Sequence, residues 1–157
     1  MINIQSKFNF LNFKFLLILF LAGAVFINYF KTKDYPTVKI GNIKFKVEIA
    51  ETNEEKARGL SGHKELLGNE GMLFVFEKGS ADSFWMKGMT FPIDIIWIKD
   101  NKISYIVYDA PVPKKEDYVL GLATYQPLEP TDFVLEINAG LSKKYNIKIG
   151  DKVSINF

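Results

Sequence analysis

The chain has 157 residues, 48% of them hydrophobic and 15% aromatic, which is enough apolar material for one domain with a packed core. It contains no cysteine and a single histidine, His63, so disulfides, thiolate metal sites and cysteine nucleophiles are excluded, and a His-rich zinc centre or a Ser-His-Asp triad is hard to build. The net charge of +2 belongs to the N-terminus: residues 1–34 carry four lysines and one acid, the remainder is about −1, and no nucleic-acid footprint is left.

The chain opens on "FKFLLILFLAGAVFINYFKTK", residues 13–33. Within it, residues 15–30 are apolar except for Asn28 and are bracketed by Lys14 and Lys31. The run is a little shorter than the roughly 20 residues that span a bilayer core as a helix. Snorkelling lysines and the aromatic end at Tyr29 and Phe30 make up the difference. Residues 1–34 are therefore read as a membrane anchor with one N-terminal transmembrane helix. The short N-terminal tail places the globular domain, residues 35–157, outside the cytoplasm on a single-pass protein of the cytoplasmic membrane. The alternative is secretion after cleavage near Ala24, because Ala22-Gly23-Ala24 resembles a signal-peptidase site.

Two strands follow, at 37–40 and 43–50, around a Gly41-Asn42 turn. In the second, Lys44, Lys46 and Glu48 alternate with Phe45, Val47 and Ile49, the period of a half-buried strand. Thr52 with Glu55 three residues on predicts a capping box opening a short helix over 53–60, with Gly59 or Gly62 ending it. Further strands are expected at 71–76, 83–87, 93–98 and 103–108, the last two joined by the turn "KDNK". Residues 109–131 hold four prolines and read as a long loop of the kind that often carries function. A strand at 133–138, a short helix or turn at 139–145, a Gly150-Asp151 turn and a final strand complete the chain. Strands dominate without alternating as βαβ units, so the expected class is α+β: a single compact β-rich roll or small barrel, mostly antiparallel, with one or two short helices.

The segments "VEIAETNEEKARGLSG", "GMLFVF", "FWMKGMTFPIDIIWI", "VLEINAG" and "IKIGDKV" resemble, in order and spacing, the family called domain of unknown function 192, over nearly all of residues 38–157. The resemblance implies one compact β-rich α+β domain, often secreted or membrane-anchored, and carries no function with it. Gly88 and Met89 stand where that family commonly has Asn and Thr, and Ser61 and His63 where it commonly has a bulkier residue and an arginine.

Chemistry concentrates in "SFWMKGMTFPIDIIWI". Strand alternation puts Ser83, Trp85 and Lys87 on one face, and Asp94 with Ile96 and Ile98 on another. A carboxylate among isoleucines is costly unless it is paired or richly hydrogen-bonded. Two readings stand side by side. In one, Asp94 is structural, paired with Lys87 or Arg58 or capping the 89–92 connection. In the other, Arg58, Trp85, Lys87 and Asp94 line a pocket for a small ligand. Glu136, between Leu135 and Ile137, is expected to face solvent or a cross-strand lysine. Met72, Met86 and Met89 read as core, and with one histidine no metal site is expected; no cofactor is expected either.

The functional expectation is a membrane-anchored domain that binds a small ligand or an envelope partner without catalysis. Two alternatives remain open: a hydrolase-like enzyme using Asp94 as acid or base, with Glu136 the one nameable second carboxylate, and a protein-interaction module using the 109–131 loop.

Overall fold

The turn "KDNK" shows how directly local sequence becomes structure here. Asp100 and Asn101 both adopt positive φ (46° and 58°), the geometry of a tight hairpin, and join β5 (Ile93–Lys99) to β6 (Lys102–Ala110). The computed structural model describes residues 35–80 and 83–157. The anchor expected over residues 1–34 lies outside them. Among the described residues, no helix is long and apolar enough to cross a membrane.

Seven strands form one sheet in the order β6-β5-β8-β3-β2-β1-β9, where β1 is Thr37–Ile40, β2 Ile43–Ala50, β3 Glu70–Val75, β8 Phe133–Asn138 and β9 Val153–Asn156. Every pairing is antiparallel except β2 with β3. The sheet curls into a half-barrel whose edges touch at one end: Lys102 at the start of β6 bridges Lys152 just before β9. Ile103 N–H donates to the Asp151 carbonyl at 3.0 Å, and Val153 N–H to that of Asn101 at 2.9 Å. The Gly150-Asp151 turn thus delivers the last strand to the far edge of the sheet rather than closing a hairpin.

Both faces of the sheet are covered, each by its own core. Inside the curl, all seven strands contribute to one cluster, including Phe45, Leu73, Ile96, Ile98, Leu135 and Ile137. On the other face, Met72, Phe74, Ile93, Ile95, Trp97 and Val134 pack beneath Leu60, Phe84, Met86 and Met89. Fully burying each large aliphatic or aromatic side chain stabilises by about 1.5–3 kcal/mol, and the two-sided coverage explains why the buried stretches of β5 and β8 are apolar on both faces apart from Asp94 and Glu136.

Three short helices accompany the sheet. In α1 (Asn53–Arg58) the expected capping box is complete: the Thr52 hydroxyl accepts from Glu55 N–H, and the Glu55 carboxylate accepts from Thr52 N–H. Gly59, at φ 49°, ends the helix at Arg58. The segment 83–87 is a strand only at β4 (Phe84–Trp85). Its partner is β7 (Thr124–Tyr125), inside the stretch read as loop, which also folds α2 (Asp117–Leu120). That helix and α3 (Leu141–Lys144) bring the total to three among the described residues, where one or two were expected.

Candidate functional site

Asp94 is completely buried, and its surroundings are backbone amides rather than a cation. One carboxylate oxygen, Oδ1, accepts from the N–H of Asp109 at 2.9 Å and of Gly140 at 3.1 Å; Oδ2 accepts from Ser142 N–H at 2.9 Å. Asp109 sits at φ 53° where β6 slips register against β5, and Gly140, at φ 80°, leads into α3. One side chain therefore fastens a bulge and a turn to the central strand. The cap serves the 139–142 turn instead of the 89–92 connection, and neither Lys87 nor Arg58 takes part. Lys143 closes the same corner by pairing with Asp109.

Arg58, Trp85 and Lys87 come together elsewhere, around a cavity of about 610 Å3 on the other side of the sheet; Asp94 does not line it. The sheet supplies the floor through Phe74 and Glu136, and α1 with the Gly59–Ser61 turn forms one wall. The segment carrying β4 forms a second wall, with Phe84, Trp85 and Met89, and meets the first where Gly62 N–H donates to the Gly88 carbonyl. Trp85 is 51% exposed and is held by the pairing of its strand with Thr124. Lys87 Nζ lies 5.7 Å from the centre of its indole, within cation–π reach. Lys56 is committed to structure, donating to the Val75 carbonyl at 2.9 Å and lying 4.6 Å from the Phe76 ring centre. The Arg58 guanidinium is exposed and, among the described residues, has no hydrogen bond or ion pair.

Glu136 is the residue that sequence reasoning misplaced. It is 5% exposed, because the face taken for solvent is covered by the second core. Met72 on β3 and Ile95 on β5 flank it in register. Among the described residues, its carboxyl has neither a hydrogen bond nor an ion pair, and burial pushes its pKa from 4.5 up to about 8. The signal was present in the sequence: like Asp94, Glu136 is an acid between apolar neighbours in a strand with no solvent face.

The family model DUF192, described as "Uncharacterized ACR", matches residues 36–155. The chain belongs to the DUF192 family. Two solved structures resemble this DUF192 domain. One is a protein of unknown function from Novosphingobium aromaticivorans, 34% identical, with a TM-score of 0.65 over 76% of this chain and 82% of the other. The second is a putative transcription regulator from Sinorhizobium meliloti, 26% identical, with a TM-score of 0.66 over 76% of this chain and 91% of the other. No curated protein matches the chain.

Proposed function

We propose that this DUF192 domain is a small-molecule binding domain whose ligand occupies the cavity between α1 and the Phe84–Trp85 segment. The observation that carries this reading is a preformed cavity of about 610 Å3 with aromatic walls, two exposed cations at its mouth and, on its floor, one buried carboxyl without a hydrogen bond or ion pair among the described residues. Sites that hold organic ligands have this size and this mixture of apolar lining and few polar groups. An apolar or planar body would lie along Trp85 and Phe84, and an anionic group would sit between Arg58 and Lys87. Binding rather than turnover is favoured because Asp94 spends its oxygens on three amides, and His63 does not line the cavity. We further infer from the apolar run at 15–30 and its flanking lysines that the domain is tethered to a membrane and works outside the cytoplasm.

The test is thermal unfolding of the full chain against a panel of aromatic carboxylates and phosphate esters, with Trp85→Ala and Arg58→Ala beside the wild type. Stabilisation of the wild type that shrinks in both variants supports the reading. A panel without effect, or shifts equal in all three proteins, overturns it.

A protein partner at the 109–131 loop is the second reading, favoured by the exposure of Val119, Leu120 and Leu128 (85%, 83% and 81%). Replacing Val119 and Leu120 by serine would abolish such an association while leaving small-molecule stabilisation intact.

A further inference from the structure

A carboxyl nine-tenths buried without a partner is an expensive group to keep in a core, and among the described residues nothing pairs with Glu136 to offset it. Its neighbours across the sheet are Met72 and Ile95, and the cavity above it is walled by Phe74 and Phe84. The other ionisable groups lining the cavity are Lys56 and Arg58 on α1, Glu77 beyond β3 and Lys87 beyond β4. Lys56 is already bound to a backbone carbonyl, and none of these side chains forms an ion pair with Glu136. Burial holds the carboxyl protonated up to about pH 8, and a cation brought into the cavity from outside the protein would let it ionise at lower pH.

We infer that the ligand of this cavity is a zwitterion, with an ammonium group docked on the Glu136 carboxylate and an anionic group held at the mouth by Arg58 and Lys87. This inference rests on the reading of the cavity as a small-molecule site. An ammonium brings up to three N–H donors, which would satisfy both carboxylate oxygens at the one place in the cavity floor where a cation finds a negative charge. Aromatic walls favour a cation beside them through their ring faces. The opposite polarity is disfavoured: it leaves both exposed cations at the mouth unused, and once Glu136 is ionised it sets two negative charges against each other on the floor. A neutral ligand acceptor meeting the protonated carboxyl is the competing arrangement, and it reverses the pH dependence.

The experiment measures affinities for six probes built on phenyl and indole bodies: phenylalanine and tryptophan, which carry both charges, phenethylamine and tryptamine, which carry only the ammonium, and phenylpropionate and indolepropionate, which carry only the carboxylate. The full chain is titrated calorimetrically from pH 5.5 to 8.5, as wild type, Glu136→Gln and Arg58→Ala, each checked for a cooperative melt. Docking on ionised Glu136 expels its proton, so affinity for the ammonium probes should rise by up to about tenfold per pH unit towards pH 8. Glu136→Gln should lose at least tenfold on those probes and flatten the profile, while Arg58→Ala weakens the carboxylate-bearing ones. Ammonium affinity that falls with rising pH, or is equal in wild type and Glu136→Gln, overturns the inference. Carboxylate-only probes binding as tightly as the amino acids would overturn it too, while leaving the cavity as a ligand site. Silence from all six overturns it as well, and the wider panel of aromatic anions then decides separately whether the cavity binds small molecules.

Discussion

Asp94 and Glu136 stand one register step apart on neighbouring antiparallel strands and point to opposite faces of the sheet. Ile95 pairs with Glu136 and Asp94 with Ile137, so Asp94 shares the face of the inner core and Glu136 that of the outer one. The two acids that could have formed a catalytic pair are separated by the sheet itself. One is saturated with amide donors and the other has none among the described residues, which divides them into a fastening and a candidate binding group.

Asp94→Asn should destabilise the domain by roughly 2–3 kcal/mol, because an amide NH2 would then face a backbone N–H that needs an acceptor. Asp94→Ala should cost more, since it leaves three N–H groups unpaired at the 109 bulge and the 139–142 turn. Denaturant unfolding measures both. Ligand affinity of the outer cavity should be unchanged in whatever fraction folds, and a loss of affinity at unchanged stability would contradict the structural role.

Glu136→Gln should change the pH dependence of stability in a defined direction. The folded pKa of about 8 lies above the ordinary 4.5, so the native state holds its proton more tightly than the unfolded chain. The wild type therefore keeps its full stability below pH 4.5 and loses it as pH rises through 8, by an amount on the order of 5 kcal/mol over the whole window. Glutamine carries no charge and should abolish that decline, making the variant more stable than wild type at pH 8.5. Melting temperatures of the two proteins across this range would settle it.

Trp85 should report on the cavity by fluorescence. Trp97 is fully buried and Trp85 is half exposed, so acrylamide quenching of the native protein should come from Trp85 and vanish in Trp85→Phe. Thr124→Pro, which disturbs the short β4–β7 pairing, should raise quenching and weaken ligand binding while the main sheet melts at nearly the same temperature. Equal quenching in wild type and Trp85→Phe would refute the placement of that indole.

Thr52→Ala should cost about 1 kcal/mol through loss of the capping box that starts α1. Because α1 carries Arg58 and walls the cavity, the same change should loosen the cavity mouth and reduce affinity for anionic probes. Chemical denaturation and calorimetry read the two effects independently.

Much of this was legible in local sequence. The strand pair 37–50, the hairpin at Asp100-Asn101 and the Thr52–Glu55 cap are each decided by residues a few positions apart, and the structure reproduces them. The burial of Asp94 was readable from its isoleucine neighbours. Its partners were not, because they lie 15, 46 and 48 residues away along the chain. The sequence by itself determined a β-rich α+β domain with two unusual acids in apolar strands. Only the tertiary structure decided which face each acid meets. Alternation sorts a strand's side chains into two sets but cannot say whether the second set meets water or another layer. Here α1 and the segment from Phe84 to Pro92, remote from β8 in sequence, cover that face and turn an apparently surface glutamate into the floor of a cavity.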